Sequence, residues 1–362
     1  MANSPARIPE SRPSAWPPLP EADLVHAFDA IGKSGWQALA HRRLFVTGGT
    51  GFVGKWLLAT LIDADRRLAL GCRVTVLSRD PDAFTVAAPH LARAPRVDIV
   101  RGDVRDFEFP AGRFDVVIHA ATDVIAQNTP SGTFATCVEG TRRVLDFAVH
   151  VGATNFLLVS SGAIYGRQPP GISRVPETHA GAPDPLLQAS AYGEGKRVSE
   201  WLTCARATES GLRVTIARCF AFVGPYLPLD KQFAIGNFLR AAMAGEEIVI
   251  QGDGTPYRSY LHAADMAAWI WAVLLRGQPG AAYNVGGEEA LSIADLGQRV
   301  VRILGSTSKV HTLKRATADC EPERYVPDVS RARTELDLPA PIPLDEALLR
   351  TARWHRDHAG AP

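Results

Sequence analysis

The sequence lacks the features that would place it in several special classes of protein. None of its 362 residues belong to an apolar run long enough to cross a membrane, so we predict no transmembrane helix. The five cysteines are widely spaced and form no C-x-x-C pair, which indicates free thiols in a reducing compartment and hence a cytoplasmic protein. The net charge of +1 gives no general attraction to nucleic acid or to an anionic membrane. The histidines have no ligand-type partners at metal-site spacing, so no metal site is predicted.

The N-terminal residues lack both an apolar segment and a regular pattern. Residues 1–20 combine several prolines with Arg7, Glu10 and Arg12, whereas a secretory signal needs an apolar core. We therefore predict a flexible arm over residues 1–20. With 46% hydrophobic and 21% charged residues, the chain has the composition of an ordinary globular protein, and its length leaves room for one large domain or two smaller ones.

A glycine-rich turn follows a short apolar run. Leu44–Val46 is too short for a helix and predicts a buried strand, Thr47–Gly54 predicts a turn, and Phe52–Asp65 has helical spacing of its apolar residues. This order of strand, turn and helix places backbone N–H groups and a helix N-terminus against a phosphate group. We therefore predict a dinucleotide-binding turn whose contact residues are Gly48, Gly51, Phe52, Val53 and Gly54.

Two alternatives to a dinucleotide site fit the same glycines. Gly49–Lys55 matches the start of the loop that binds nucleoside triphosphates, but the next position must be Ser or Thr to hold magnesium, and it is Trp56. This mismatch excludes a triphosphate loop. The other alternative is a plain tight turn without a ligand, which the flanking strand and helix make the less favoured interpretation.

Apolar segments alternate with helical ones over the first part of the chain. Such continuous apolar strands are typical of a parallel sheet covered on both faces, so we predict an α/β fold with a doubly wound parallel sheet, the Rossmann arrangement. The strands predicted after the first are residues 73–78, 97–103, 114–121, 155–161 and 212–218.

The rhythm of strands and helices changes after Arg218, where shorter elements follow one another. This change predicts a smaller α+β lobe, which we assign to the substrate. The predicted Rossmann domain comprises residues 21–218 plus about 256–285, and the predicted substrate lobe comprises about 219–255 plus 286–362.

The candidate catalytic residues are a serine at a strand end and a tyrosine–lysine pair. Tyr192 and Lys196 share one face of a predicted helix, and a neighbouring ammonium lowers the pKa of a phenol from its usual value of about 10. Such a tyrosine can exchange a proton with an alcohol while a hydride moves to a nicotinamide. A tyrosine–lysine pair alone arises often by chance, but Ser161 ends a predicted strand, at the sheet edge where ligands bind. We therefore predict that all three are catalytic and that Tyr192 and Lys196 also contact the cofactor.

Taken together, the motifs resemble those of the extended short-chain dehydrogenases/reductases, in particular the NAD-dependent epimerase/dehydratase group that acts on nucleotide sugars. The resemblance extends from about Arg43 to Trp354. The matching segments are Thr47–Gly54, Gly102–Val104, His119–Ala121, Ser160–Gly166, Tyr192 with Lys196, Arg218–Pro225, Gly252–Arg258 and Asp328–Arg333.

The resemblance implies further cofactor contacts and a homodimer. Asp103 and Val104 would lie on the adenine side of the cofactor, and Ala120 and Ala121 would belong to a loop that covers it. The helices predicted over residues 132–151 and 191–210 resemble those that form the dimer interface in the family.

The resemblance also implies where the substrate binds. Ser161 would contact the sugar, and Arg258 would hold the diphosphate of the sugar nucleotide. Arg324 is a further candidate for a nucleotide phosphate, with a surface ion pair as the alternative.

Two departures from the family pattern bear on the reaction and the substrate. Dehydratases of the family carry Asp-Glu after the catalytic hydroxyl residue, as the acid and base for the loss of water, whereas this chain has Gly162 and Ala163. Two positions that are often Asn in the family are Cys137 and Ala221 here, which weakens the expected contact to the substrate nucleotide. The first departure argues against dehydration.

The end of the second strand bears on the choice of cofactor. An acidic residue usually stands there to hold the ribose hydroxyls of NAD, but this chain has Ser78 and Arg79. An arginine can bind a 2′-phosphate through two parallel hydrogen bonds, so NADP is slightly favoured over NAD. The alternative is that Arg79 lies on a solvated loop without this role.

These expectations define an enzyme that transfers hydride between NADP or NAD and a nucleotide-activated sugar. The expected net reaction is epimerisation through a 4-keto intermediate, or reduction of a keto sugar. The alternatives left open are a nucleotide-sugar 4,6-dehydratase, a reductase of a small alcohol or ketone that carries no nucleotide, and a non-catalytic protein that senses NADP or acts as a scaffold.

Overall fold

A computed structural model describes residues 15–122, 129–316 and 321–358 of the chain. The helices are α1 Glu21–Gln37, α2 Phe52–Leu68, α3 Pro81–Ala87, α4 Pro89–Ala92, α5 Pro130–His150, α6 Ala191–Ser210, α7 Ala234–Ala244, α8 Ala263–Arg276, α9 Ile293–Leu304, α10 Ser330–Glu335 and α11 Leu344–Asp357. The strands are β1 Arg43–Thr47, β2 Arg73–Ser78, β3 Val97–Arg101, β4 Val116–His119, β5 Asn155–Ser161, β6 Arg213–Cys219, β7 Ala221–Val223, β8 Ile248–Ile250, β9 Tyr257–Arg258, β10 Tyr260–His262, β11 Ala282–Val285, β12 Leu291–Ser292, β13 Val310–Thr312 and β14 Arg324–Tyr325.

Seven strands form one parallel sheet in the order β11-β6-β5-β4-β1-β2-β3. The chain runs outward from β1 in one direction and then returns to continue from β4 in the other, so the strand order reverses between these two strands. In such sheets ligands bind at the carboxyl ends of the strands where the order reverses. The predicted doubly wound α/β fold is confirmed.

The central strands bury side chains on both faces of the sheet. In β1, Leu44 and Val46 belong to the core on one face, whereas Phe45 lies in a separate core on the other. Phe45 packs there against Phe147 of α5, with ring centroids 4.4 Å apart. Because side chains alternate along a strand, a strand with two buried faces must be apolar throughout, which explains the runs seen in the sequence.

Of the elements after β6, α8 packs against α1, α2 and the main sheet, and β11 returns to that sheet beside β6. The division into a Rossmann domain and a smaller substrate lobe stays a prediction. Strands β12, β9 and β14 form a three-stranded sheet, and β13 pairs with β8. No helix within the described ranges is both long and apolar enough to cross a membrane.

The segment before α1 is packed against the protein. The ring of Trp16 stacks on that of Trp354, with centroids 5.8 Å apart, and the ammonium of Lys55 lies 4.3 Å from its centroid. The hydroxyl of Tyr226 donates a hydrogen bond to the carbonyl oxygen of Pro17, and Leu19 is buried. The predicted flexible arm was therefore wrong for residues 15–20, because these apolar side chains find partners far away in the sequence. Residues 1–14 lie outside the described part of the chain.

We predict that Trp16→Ala lowers the free energy of unfolding by about 1–3 kcal/mol, because it removes the stacking on Trp354 and the cation–π contact with Lys55. Denaturation in urea followed by circular dichroism measures the change. The control is Leu313→Ala, since Leu313 is 61% exposed and its truncation is expected to have little effect. Equal stabilities of the two variants would contradict a structural role for the packed segment.

Candidate active site

The glycine-rich turn after β1 lies in close contact with the backbone that follows β4. Gly48 has a φ of +71°, and a Cβ atom there would lie 2.5–2.6 Å from backbone atoms of Ala120 and Ala121. A Cβ atom on Gly54 would lie 2.2 Å from the carbonyl oxygen of Gly48. Both positions therefore require glycine, and the packing leaves the N-terminus of α2, which begins at Phe52, next to the turn.

A cavity opens beside this turn, at the carboxyl ends of the strands. It is lined by Thr47, Gly48, Thr50, Gly51, Leu77, Ser78, Arg79, Gly102, Asp103, Val104, Arg105, Ala120, Ala121, Thr122, Gly132 and Thr136. Of the predicted cofactor residues, Gly48, Gly51, Ser78, Arg79, Asp103, Val104, Ala120 and Ala121 line it. Phe52, Val53 and Gly54 lie behind the turn in α2 and are not among its wall residues. A glycine cradle beside a helix N-terminus suits the diphosphate of a dinucleotide, so the residues present fit NAD or NADP.

One end of the cavity carries charged groups from β2 and β3. The guanidinium of Arg105 donates to both carboxylate oxygens of Asp103, at 2.8 and 3.2 Å, and this hydrogen bonding lowers the pKa of Asp103. Arg79 is exposed, and its carbonyl oxygen accepts a hydrogen bond from Arg101. Cationic groups therefore surround the end of β2, the position at which a dinucleotide-binding fold meets the ribose of the adenosine.

The three predicted catalytic residues lie at the carboxyl end of β5 and in the first turns of α6, and none of them is among the residues that line the cavity. Ser161 ends β5, and its hydroxyl accepts a hydrogen bond from the backbone N–H of Ala163 at 3.1 Å. Tyr192 lies in the first turn of α6, and its phenol is close enough to the Ser161 side chain for that group to act on its pKa. Lys196, one turn later, is buried, and its ammonium donates to the carbonyl oxygen of Val159 in β5 at 2.8 Å.

The pKa of Tyr192 differs from the sequence-based expectation. Burial of the phenol raises its pKa above the usual value, and the Ser161 side chain acts in the opposite direction. Burial also lowers the pKa of Lys196, whose ammonium is occupied by the carbonyl oxygen of Val159. The prediction that Lys196 lowers the pKa of Tyr192 was therefore wrong for this structure, because burial of the phenol is the largest influence on its pKa.

A buried ion pair fixes the helix of the tyrosine to the sheet. Glu200 of α6 accepts hydrogen bonds from the Ser160 hydroxyl of β5, at 2.6 Å, and from the Arg218 guanidinium of β6, at 2.7 Å. Arg218 also donates to the hydroxyl of Tyr165 at 2.8 Å. These contacts join α6 to the two strands beneath it and thereby hold Tyr192 near Ser161.

Tyr325 is a site residue that the sequence analysis missed. It lies in β14 of the predicted smaller lobe, and its hydroxyl is 3.4 Å from that of Ser161 and 3.5 Å from the carbonyl oxygen of Cys219. Burial raises its pKa to about 12, so the phenol is protonated at neutral pH and available as a donor. The only local signal was a tyrosine next to the candidate residue Arg324, because the contact joins segments separated by more than 160 residues.

Phe220 occupies the space beside the residues that replace the acidic pair of the dehydratases. A Cβ atom on Gly162 would lie 2.6–2.8 Å from three ring atoms of Phe220. The same ring packs against Tyr325, with centroids 4.6 Å apart. An acidic side chain at position 162 would therefore displace Phe220 and disturb Tyr325.

The two predicted substrate arginines lie on neighbouring strands. Arg258 in β9 pairs in register with Tyr325 in β14, and its guanidinium lies 5.8 Å from the centroid of that ring. It also forms an ion pair with Glu323 at 3.3 Å. The guanidinium of Arg324 lies 4.2 Å from the ring centroid of Tyr257. Arg258 is thus connected to Ser161 through Tyr325, whereas Arg324 stacks on the ring of Tyr257 on the neighbouring strand.

Cys137 and Ala221 stand at the two positions where the family often has Asn. Their structural surroundings differ. Cys137 of α5 is buried against α6, where a Cβ atom on Gly195 would lie 2.7 Å from its own Cβ. Ala221 begins β7, which pairs with β10. Cys137 therefore has a packing role between the helices.

Comparison with protein families gives one match that covers most of the fold. Residues 44–286 match the model of the NAD dependent epimerase/dehydratase family. These residues include the glycine turn, the candidate catalytic residues and Arg258.

The names of two curated relatives describe enzymes that act on nucleotide sugars. The chain is 28% identical to UDP-glucuronic acid decarboxylase 6 of Arabidopsis thaliana over 329 residues, which are 89% of this chain and 91% of the relative. It is 28% identical to a dTDP-glucose 4,6-dehydratase of Streptomyces niveus over 331 residues, 87% of this chain and 93% of the relative.

Solved structures share the fold. A dTDP-glucose 4,6-dehydratase of Streptomyces venezuelae with NAD bound is 28% identical, with a TM-score of 0.73 over 88% of this chain and 98% of that one. A UDP-glucose 4-epimerase of Thermotoga maritima with UDP-glucose is 23% identical, with a TM-score of 0.74 over 88% of this chain and 99% of that one. The family match, together with the glycine turn and the neighbouring serine, tyrosine and lysine, shows that this chain belongs to the NAD-dependent epimerase/dehydratase family.

Proposed function

We propose that the protein is an NAD(P)-dependent epimerase or reductase of a nucleotide-activated sugar. The observation that carries this proposal is the proximity of the Ser161 and Tyr192 side chains at the carboxyl edge of the sheet, the edge at which the cavity beside the glycine turn also opens. The substrate class is supported by the relatives and neighbours, whose names include dTDP-glucose 4,6-dehydratase and UDP-glucose 4-epimerase. Arg258, which lies over the ring of Tyr325, is proposed to hold the diphosphate, and Arg324 to assist from the adjacent strand.

The chain's own residues supply the proton chemistry. Bound NAD or NADP supplies the acceptor or donor of hydride, held by the glycine turn and the walls of the cavity. The phenol oxygen of Tyr192 takes the proton from the sugar hydroxyl during oxidation and returns it during reduction. The hydroxyl of Ser161 donates a hydrogen bond to the same sugar oxygen. Lys196 fixes α6 to β5 through the carbonyl oxygen of Val159.

The surroundings of Ser161 disfavour dehydration. Loss of water from a keto sugar needs an acid for the departing hydroxyl and a base for the carbon-bound proton. Gly162 and Ala163 offer neither, and Phe220 fills the adjoining space. The nearby carboxylate of Glu200 is held by Arg218 and Ser160 and points into that network. Epimerisation or simple reduction needs no further acid or base, so these reactions suit the site better.

The relatives suggest a second candidate, decarboxylation of a nucleotide-linked uronic acid. Several curated relatives are UDP-glucuronic acid decarboxylases by name, including one of Arabidopsis thaliana with 30% identity over 311 residues. Oxidation at C4 of such a sugar places a ketone β to the carboxylate, an arrangement that loses CO₂ readily. The oxidation would use the same hydroxyls of Ser161 and Tyr192, so assays of the products must distinguish the two functions.

The product of the purified protein tests the proposed function. UDP-glucose, UDP-glucuronic acid, dTDP-glucose and their 4-keto derivatives are incubated with NAD, NADH or NADPH and followed by NMR and mass spectrometry. A C4 epimer of unchanged mass, or consumption of NAD(P)H by a keto sugar, supports the proposal. Loss of CO₂ from the uronic acid supports the second candidate, and loss of water would show a dehydratase. Binding of NADP(H) without turnover of any sugar would indicate a sensor or scaffold instead.

A homodimer and a cytoplasmic location remain predictions from the sequence. Trp201 on α6 is 69% exposed, and Phe134 on α5 is 38% exposed. We propose that these helices form the dimer interface, because pairing of two copies would remove these large apolar side chains from water.

We predict that Tyr192→Phe lowers kcat about a thousandfold, because it removes the group that moves the proton and leaves the ring in place. Fluorescence titration with NAD(P)H is the matched measurement, and the affinity for the cofactor is expected to change little. A variant that keeps full turnover would contradict the proposed role of Tyr192.

We predict that Arg79→Ala weakens binding of NADPH by about tenfold to a hundredfold and leaves NADH binding unchanged, because only NADPH carries the 2′-phosphate. Arg93→Ala is the control, since Arg93 is an exposed arginine that does not line the described cavity. Isothermal titration calorimetry measures both affinities. An equal loss for the two cofactors would argue that Arg79 does not select NADP.

We predict that Tyr325→Phe lowers kcat about threefold to tenfold, because it removes the hydroxyl next to Ser161 but keeps the ring against Phe220 and Arg258. The control is Tyr257→Phe on the neighbouring strand, where only the ring contacts an arginine. Steady-state kinetics compare the two variants. Equal activities would show that the Tyr325 hydroxyl takes no part in the reaction.

A further inference from the structure

A continuous chain of buried hydrogen bonds connects the glycine turn with the catalytic helix. The hydroxyl of Thr47, at the end of β1, lies 2.8 Å from Nδ1 of His119, and Nε2 of the same ring lies 3.0 Å from the hydroxyl of Thr141 in α5. Thr141 donates to the hydroxyl of Ser199 at 3.0 Å. Ser199 donates to the carbonyl oxygens of Gly195 and Cys137, each at 2.9 Å. All four side chains are fully buried or nearly so.

The number of available protons fixes the direction of this chain. The single hydroxyl proton of Ser199 goes to the carbonyl oxygens, so Ser199 accepts from Thr141. Thr141 has then used its own proton and accepts from Nε2–H of His119. A neutral imidazole carries one proton, so Nδ1 accepts from the hydroxyl of Thr47, which accepts in turn from the backbone N–H of Ala121 at 3.2 Å. Every donor therefore points from the glycine turn toward α6.

His119 must remain neutral for the chain to hold. Burial, together with the nearby charge of Lys196, lowers its pKa to about 3. A protonated ring would present a second N–H to Thr47 and oppose its donated proton. The ring of His119 therefore has one tautomer and one orientation at neutral pH. It can hold Thr47 and Thr141 in fixed positions without a change in its own protonation.

The two ends of the chain lie in the two halves of the site. Thr47 and Ala121 line the cofactor cavity. Gly195 lies between Tyr192 and Lys196 in α6, where it packs against Cys137. A shift of either end must therefore break a buried hydrogen bond or move the other end.

We propose that His119 is a positioning residue that holds the catalytic helix in register with the cofactor turn, through Thr141 and Ser199. The inference rests on the proposed function for its kinetic consequence, since a displaced Tyr192 no longer meets the sugar oxygen that Ser161 binds. Errors of about 1 Å in such placement lower rates by up to about a hundredfold.

The decisive comparison is Thr141→Val with Thr141→Ser, because Thr141 lies outside the cavity wall and valine keeps its shape. Thr141→Val is expected to lower kcat by about tenfold to a hundredfold, with KM for the sugar and affinity for NAD(P)H changed less than threefold. Thr141→Ser keeps the hydroxyl and is expected to keep most of the activity. Equal kcat values for the two variants would overturn the proposal, as would a loss confined to cofactor affinity.

A second measurement does not require turnover. Hydrogen–deuterium exchange of the backbone amides in residues 192–199 is expected to become faster in Thr141→Val, and to stay at the wild-type rate in Thr141→Ser. If the wild-type protein converts no sugar, the proposed function fails while this comparison still tests the chain. If Thr141→Val does not fold, Ser199→Ala replaces it in this comparison, because it removes the hydroxyl that donates to the carbonyl oxygens of Gly195 and Cys137. Unchanged exchange in the folded variant would overturn the inference.

Discussion

The close approach of the turn after β1 to the backbone after β4 is the constraint on which the site depends. It needs a bare backbone at Gly48, where a side chain would meet Ala120 and Ala121, and at Gly54, where one would meet Gly48 itself. The same approach leaves the N-terminus of α2 beside the cavity and brings Thr47 to the ring of His119. The same close approach of the two backbone segments therefore shapes both the proposed cofactor site and the hydrogen-bond chain through His119.

The surroundings of Ser161 follow a different rule, since apolar packing rather than an acid–base group lies against Gly162. Phe220 fits because position 162 has no side chain, and its ring in turn supports Tyr325 next to Ser161. A single ring thus disfavours a carboxylate at position 162 and also packs against Tyr325, whose hydroxyl lies next to that of Ser161.

The main sheet was predictable from sequence, and candidate catalytic residues could be named, because their signals are local. Apolar runs predicted 73–78 and 155–161 with the observed ends, and the spacing of Tyr192 and Lys196 placed both on one face of α6. The packing of Trp16 and the position of Tyr325 were not predictable, since each depends on partners more than 100 residues away. The pKa of Tyr192 was also misjudged, because a pair of residues in sequence says nothing of the burial that raises it.

The raised pKa of Tyr192 has a consequence for how the site is completed. Burial favours the protonated phenol, so in the proposed oxidation positive charge or hydrogen bonding near its oxygen would have to favour the phenolate. The ammonium of Lys196 donates to the carbonyl oxygen of Val159, and the Ser161 side chain acts against the rise in the pKa of Tyr192. A bound oxidised nicotinamide would add positive charge to the site. In the proposed reaction, oxidation would therefore start from the form of Tyr192 that burial disfavours, and reduction from the form that burial favours.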